Sequence, residues 1–366
     1  MRMTAAVLRS ADVRFRVEEV ELNTRLRADE VLVRIAGCGM CHTDLAVRHS
    51  GGRSALPAVL GHEGSGTIVE TGAEVTDMAV GDNVVLSFDS CGQCRTCLLA
   101  APAHCESFAA LNLFGERTDD NGRFTDSEGH SLAPRWFGQS SFAQYAVVRA
   151  RTAVRVDPVL PVELLGPLGC GFLTGAGAAL STFGLAPGDT FVVAGAGGVG
   201  LAAVMAARAA GATVVAVDRS ESRLGLAEQF GATTVHSSEP DLGKRLREHT
   251  DGGPQYALDT TGAPVLINSL LQTLRPTGTL GVVARQRAVL DLWPGGLLQG
   301  RSITHICEGD SVPRLMVPRL IGLWREGRFP FDQLIKTYPL SAIDEAERDC
   351  LSGEVVKPVL LPPSDE

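Results

Sequence analysis

The stretch DTFVVAGAGGVGLAAVMAARAAGATVVAVDRS (residues 189–220) decides how the second half of this chain folds. A short apolar strand at 191–194 runs into a glycine turn, an Ala-rich helix and a second apolar strand at 213–217. That succession is a βαβ unit. Within the turn, Gly195, Gly197 and Gly200 carry the G-x-G-x-x-G spacing, with Gly198 and Val199 between the last two. The first glycine permits a tight turn, the second lets a pyrophosphate approach the backbone, and the third lets helix and strand pack closely. The helix N-terminus favours the negative charge. Asp218, at the end of the second strand, can accept hydrogen bonds from adenosine ribose hydroxyls and would repel a 2′-phosphate. The turn therefore predicts a bound dinucleotide, NAD in preference to NADP. Arg219 and Arg223 follow, near enough in sequence to border the adenosine. A packing turn without ligand, with Asp218 as a helix cap, is the competing reading.

Alternation continues outward from this unit. SRLGLAEQFGA, DLGKRLREHT and PVLINSLLQTL read as helices, and TTVHS, YALDTTG and TLGVVA as strands. The pattern predicts an α/β fold with a doubly wound parallel sheet. The strand TLGVVA (279–284) is its expected edge. GPLGCGFLTGAGAAL (166–180) reads as one helix of small residues. The first 150 residues differ. VLVRIAG (31–37), GSGTIVETG (64–72), DNVVLSF (82–88) and SFAQYAVV (141–148) are β-rich runs punctuated by Gly and Pro. Residues 115–135 are polar and aperiodic, and read as a surface loop. From about 308 a helix and a last strand, VVKPVLL, return the chain to its first domain. The expected organisation is a β-rich domain at 1–165, a nucleotide domain at 166–307, and a segment at 308–366 that completes the first domain.

A chain of 366 residues suits two cores better than one. The formal charge is -9 and no basic cluster offsets it, which argues against nucleic acid or an anionic membrane as partner. No apolar run reaches the roughly 18 residues of a membrane span, and the N-terminal stretch lacks the apolar region of a signal peptide. A cytoplasmic protein is expected. Its nine cysteines then need a reason other than disulfides.

Cys91, Cys94, Cys97 and Cys105 form C-x2-C-x2-C-x7-C. Four thiolates so spaced can close a tetrahedral zinc site with no open position, which makes it structural; an iron–sulfur cluster is a minor alternative. A catalytic zinc needs three protein ligands and an open position. Cys41 in GCGMCHTD, His62 in GHEGSG and Cys170 in GPLGCGFLTG are candidates, each beside glycine or small residues and each weak alone.

GMCHTD, GHEGSG, the four-cysteine lobe, GCGFLTGAGA and GAGGVG occur in this order along nearly the whole chain. In this the chain resembles the zinc-dependent medium-chain alcohol dehydrogenases. FGQSSFAQYAVV, EGDSVPRLMVPRLIGLWREG and GEVVKPVLL make it most similar to their bacterial aryl (benzyl) alcohol members. The resemblance implies a GroES-like catalytic domain beside the Rossmann domain, NAD as cofactor, and two zinc ions per chain. It implies hydride transfer between a primary alcohol (aryl, allylic or terpenoid) and its aldehyde. It places the catalytic zinc on Cys41, His62 and Cys170, and the structural zinc on the four-cysteine lobe. Glu63 would lie behind the catalytic metal, as a transient ligand or an electrostatic neighbour. Thr43 would take the substrate proton. His42 would lie near the cofactor pyrophosphate, with Lys357 as a second contact, and Thr174 and Val199 would border the nicotinamide. Homodimers or homotetramers built on the nucleotide-domain edge strands are expected.

Cys38 falls outside this ligand set, so the C-x-x-C look of the opening motif misleads. One departure from the family concerns the proton relay. Many relatives carry a histidine where this chain has Ala46, and His49 cannot be assumed to replace it. Phe88, Leu113, Phe114, Trp136 and Phe137 lie in or beside loops that could wall a pocket for an apolar alcohol. The alternatives are a glutathione-linked formaldehyde dehydrogenase, an aliphatic alcohol dehydrogenase, a zinc-free quinone or enoyl reductase, and a non-catalytic NAD sensor.

Overall fold

The strand Glu30–Gly39 is buried along most of its length because it is paired on both sides. Glu63–Thr71 runs antiparallel along one side, and Tyr145–Arg149 and Lys357–Leu361 share the other. A strand so enclosed reads as a nearly continuous apolar run rather than an alternation. Glycines stand where backbones crowd it. A Cβ on Gly66 would lie 1.9 Å from the Arg34 carbonyl oxygen, and one on Gly37 would lie 2.1 Å from that of Glu163.

The structure is a computed structural model that describes residues 1–50, 56–114, 123–133, 135–284, 289–292 and 294–364. The chain divides into two compact units. The first comprises Met1–Cys170, Val312–Pro318 and Asp332–Glu366, and the second Gly171–Ser311 and Arg319–Phe331. Against the expected boundaries, the return to the first unit is interrupted. Phe329 and Phe331 are fully buried, and Phe331 packs on Phe172 and Trp324, which draws their segment into the second unit.

Among the described residues the first unit carries two sheets. The larger runs Ile335–Pro339, Lys357–Leu361, Glu30–Gly39, Glu63–Thr71, Asn83–Leu86, Ala153–Val156, with Tyr145–Arg149 also on Glu30–Gly39. The smaller runs Ala58–Val59, Arg2–Leu8, Arg16–Leu22, Phe124–Asp126. That last strand corrects the surface-loop expectation for 115–135. Phe124 is fully buried, and Arg123 and Arg135 are buried against Glu30 at 2.6 and 3.2 Å. The polar residues that suggested a loop are thus partly members of an internal ion cluster. Residues 115–122 and 134 lie outside the described residues.

The second unit is built on a parallel sheet ordered Thr233–His236, Thr213–Asp218, Thr190–Ala194, Tyr256–Asp259, Thr279–Val282, Ser302–His305. This is the doubly wound Rossmann order, whose switch point lies beside the first strand of the βαβ unit. Val192, Val215, Leu246, Ile267, Leu271 and Leu280 are among the residues of its core. The sheet corrects the edge assignment. Thr279–Val282 is internal, and the edge is Ser302–His305, a short strand with two exposed residues and no apolar run to announce it.

The expected small-residue helix at 166–180 is also revised. Gly166–Gly169 is a 3-10 turn, and the α-helix begins only at Gly171. Cys170, at φ -144 and ψ -83, is the break between them. A side chain at such a joint is not committed to a helix face.

Candidate active site

Three loops of the first unit bring Cys41, His62 and Cys170 together, with ligand atoms all within 4.8 Å of one another. Cys41 immediately precedes helix His42–Ser50. His62 follows Gly61, whose φ of +89 suits glycine. Cys170 sits at the helix break. His62 is buried, and among the described residues its Nε2 has no hydrogen-bond partner. A buried nitrogen left unpaired beside two thiols has the chemistry of a metal ligand, since burial without a partner is costly. Two sulfurs and one imidazole suit zinc with a fourth position open. Cys38 is excluded from this group, and burial pushes its thiol well up.

Asp44 orients the imidazole. Its Oδ1 accepts from His62 Nδ1 at 2.9 Å, Trp136 Nε1 at 2.8 Å and Gly61 N at 3.1 Å, and its Oδ2 from Cys41 N at 3.3 Å. A carboxylate on the far nitrogen fixes which nitrogen of a ligating histidine faces the metal. Burial opposes protonation of His62, but Asp44 and then Cys41 outweigh it and hold its pKa well above the usual value. The Cys41 thiol is held well below its usual value, chiefly by a hydrogen bond with Cys170. Thr43 Oγ1 lies 3.7 Å from Cys41 Sγ.

An aromatic wall flanks His62. Phe137 stacks on its ring at 4.4 Å, Trp136 meets Phe137 at 5.1 Å, and Phe108 links Phe137 to Phe88 at 6.3 and 5.8 Å. Leu113 and Phe114, after helix Phe108–Asn112, are half-buried.

Glu63 is fully buried, and Lys357 Nζ donates to its two oxygens at 2.9 and 2.8 Å and to Met40 O at 3.1 Å. Burial pushes the Glu63 carboxyl up, and Lys357 opposes that. The Lys357 ammonium therefore lies beneath the pair of thiols, held to Glu63 and to the Met40 carbonyl. His42 is exposed on the first turn of its helix. Ala46 is exposed on the same helix, and His49 Nε2 pairs with Glu347 at 2.7 Å, beside the Arg48–Glu347 pair.

The sulfurs of Cys91, Cys94, Cys97 and Cys105 form a second group within 4.8 Å. All four are free thiols. Gly92, at φ +73, turns the chain so that the amides of Gln93 and Cys94 point at Cys91 Sγ, 3.5 and 3.2 Å away. A hydrogen bond with Thr96 holds Cys94 down to about 5, and burial pushes Cys105 up to about 12. Amides aimed at sulfur stabilise thiolate, the form that binds zinc.

In the second unit, Gly195 has φ +95 and its N–H bonds Val217 O at 2.8 Å. A Cβ on Gly200 would lie 1.8 Å from Gly195 O, and one on Gly175, in the helix carrying Thr174, would lie 1.9 Å from Val199 O. A Cβ on Gly197 would meet nothing within 4 Å. That open space at the start of helix Gly198–Ala209 fits a pyrophosphate. Asp218 Oδ2 accepts from Ala196 N at 2.6 Å and Oδ1 from Ser220 N at 2.9 Å, which ties the end of its strand to the turn. Arg223 is half-buried in helix Glu221–Gln229.

Comparison with known proteins agrees with this geometry. Residues 27–158 match the family model "Alcohol dehydrogenase GroES-like domain", and residues 198–321 match "Zinc-binding dehydrogenase". The chain is 44% identical to the geraniol dehydrogenase of Castellaniella defragrans, over 98% of this chain and 97% of that one. The chain belongs to the zinc-dependent medium-chain alcohol dehydrogenases. Among solved structures, an alcohol dehydrogenase zinc-binding domain protein from Burkholderia ambifaria is 44% identical, with TM-score 0.96 and full coverage of both chains. Benzyl alcohol dehydrogenase from Acinetobacter calcoaceticus is 40% identical, with TM-score 0.93 over 99% of this chain and 100% of that one.

As a member of this family the chain is an oxidoreductase that uses zinc and NAD and acts on a small-molecule alcohol. Among the described residues no helix is long and apolar enough to cross a membrane.

Residue-by-residue reading of the sequence missed Asp44, Trp136 as a donor, and Gln139. Asp44 had a readable signal, an acid three residues after a candidate metal-ligating cysteine. Gln139, whose Nε2 donates to His62 O at 2.9 Å, had none.

Proposed function

We propose that this dehydrogenase interconverts an aryl, allylic or terpenoid primary alcohol and its aldehyde. The catalytic zinc is assigned to Cys41, His62 and Cys170, and the structural zinc to Cys91, Cys94, Cys97 and Cys105. NAD is assigned to the turn Gly195, Gly197, Gly198, Val199 and Gly200, with Asp218 on the adenosine ribose and Arg223 beside it. His42 faces the pyrophosphate, and Thr174 and Val199 border the nicotinamide.

When bound, zinc supplies the Lewis acidity that makes an alcohol proton labile, and NAD accepts the hydride. The Thr43 hydroxyl would accept that proton while passing its own on to water, acting as a relay and not as the final base. Asp44 keeps His62 in the tautomer that leaves Nε2 for the metal. Glu63, gripped by Lys357, places a buried negative charge beneath the site.

The observation that carries the substrate class is the aromatic wall, with Phe137 stacked on His62. A flat unsaturated group can lie along it, whereas ethanol leaves it unfilled. The names of the geraniol and benzyl alcohol relatives support the same class. Steady-state kinetics with NAD test it. Benzyl alcohol and geraniol are each expected to exceed ethanol in kcat/KM by about 100-fold or more, because every buried methylene contributes roughly tenfold or more. Equal values for the three would overturn the reading.

The enzyme is further proposed to act in the cytosol, where none of its nine cysteines is driven into a disulfide. It is proposed to be a homodimer or homotetramer in which Ser302–His305 pairs with its copy. Light scattering of the native enzyme tests the assembly, and a monomer would refute it.

A further inference from the structure

His62 and Cys170 are far apart in sequence, yet two buried side chains join their backbones. Gln139 is 1% exposed. Its Nε2 donates to His62 O at 2.9 Å and to Ser87 O at 3.4 Å. Its Oε1 accepts from Gly64 N at 3.1 Å and from the Ser141 hydroxyl at 2.8 Å. Two donors and two acceptors are all used, so the amide has one orientation that satisfies it. Ser87, also buried, donates its hydroxyl to Gly169 O at 2.6 Å. Gly169 is bonded directly to Cys170. The path from one ligand to the other is therefore His62 backbone, Gln139 amide, Ser87, Gly169, Cys170.

The turn that carries Gln139 is itself held. Phe137, Gly138 and Ser140 all have left-handed backbones, with φ of 49°, 69° and 55°. The conformation is uncommon for a residue as large as phenylalanine. Trp136 N donates to Ser140 Oγ at 2.8 Å, and Ser140 N to Trp136 O at 3.0 Å, which closes the turn. It meets His62 from three sides: Phe137 on the ring, Trp136 on the Asp44 carboxylate, and Gln139 on the carbonyl.

We propose that Gln139 and Ser87 form a strut that sets the separation of His62 and Cys170, which makes Gln139 a positioning residue for the catalytic metal. This rests on His62 and Cys170 being zinc ligands. Metal–ligand distances tolerate only about 0.2 Å, so a pair of ligands from separate loops needs an internal spacer. A glutamine serves because it bonds carbonyls and an amide at once.

The test uses the zinc-loaded enzyme and two variants, Gln139→Leu and Ser87→Ala. Metal release to a chromogenic chelator is followed in time, and the visible spectrum is recorded after cobalt replaces the faster-released zinc. The wild type is expected to release two metals in separable phases. Each variant is expected to speed one phase by about tenfold or more, the usual scale for partners of metal ligands, and to leave the other unchanged. The cobalt band should shift in the same variants. If Gln139→Leu does not accumulate folded, Ser87→Ala decides, since it deletes a single oxygen. Unchanged release and an unchanged spectrum would overturn the proposal, as would equal acceleration of both phases, which marks a general loss of structure. A wild type that releases only one metal would overturn the ligand assignment itself, whatever the variants do.

Discussion

The imidazole of His62 and the ring of Phe137 lie face to face, centroids 4.4 Å apart and planes 24° from parallel. Phe137 holds that place from a backbone with φ 49° and ψ 35°. Such a conformation costs a non-glycine residue about 1–3 kcal/mol, and a β-branched one suffers most. In denaturant titrations Phe137→Gly is expected to be more stable than Phe137→Val by about that amount. Both variants should lose turnover of benzyl alcohol more than turnover of ethanol. A glycine variant less stable than the valine one would refute the strain argument.

His49 is bound to Glu347 rather than to anything at the thiolate site. His49→Ala is therefore expected to leave the pH–rate profile nearly unchanged. It should destabilise the fold by less than about 1 kcal/mol, because the imidazole is half exposed and the pair is screened. A turnover that drops near neutral pH and recovers at high pH would show that His49 does relay the proton.

Two glycines of the nucleotide turn should fail differently. Gly200→Ala drives a methyl into the Gly195 carbonyl, so it should cost about 1–3 kcal/mol and weaken NAD binding with it. Gly197 has φ -80 and open space around its absent Cβ, so Gly197→Ala should melt like the wild type. Its methyl would instead enter the open space proposed for the pyrophosphate, and the NAD Kd should rise about tenfold or more, a loss of about 1.4 kcal/mol. Calorimetric titration with NAD separates the cases; normal affinity in Gly197→Ala would move the pyrophosphate elsewhere.

Asp126 is held down to about 2, chiefly by its hydrogen bond with Arg9. A depressed carboxyl stabilises the fold above its unfolded pKa, near 4 as a rough reference, and loses that contribution as pH falls through the folded value. The wild type should therefore lose melting temperature between about pH 4 and 2 more steeply than Asp126→Asn. Parallel curves would mean that the Arg9–Asp126 pair contributes nothing.

Local features of the sequence and the final structure agree best where a backbone pattern repeats. The alternation after residue 189 is legible because each parallel strand is an apolar run between helices, and Gly195 to Gly200 are legible because a tight turn admits only certain residues. The four-cysteine lobe is legible because its spacing is local. The three-ligand site is not, since Cys41, His62 and Cys170 meet only through long-range pairing, and a resemblance to a known family stood in for that geometry. Ser302–His305 escaped notice because an edge strand need not be apolar. Arg123 and Arg135 misled because charged residues signal surface until a buried Glu30 is found between them. Gln139 was silent because a backbone-bonding amide leaves no periodicity and no motif.

Lys357 and Glu63 are 294 positions apart in the chain. Polypeptides are made from the N-terminus, so Cys41, His62 and Glu63 emerge from the ribosome well before Lys357 does. Until the last strand arrives, the carboxylate lacks the ammonium that grips it in the finished fold, and burying such a charge alone is costly. The residues between include Gly171–Ser311 of the second unit. Synthesis of that stretch is thus a built-in delay, and the floor beneath the two thiols closes only once it has been made.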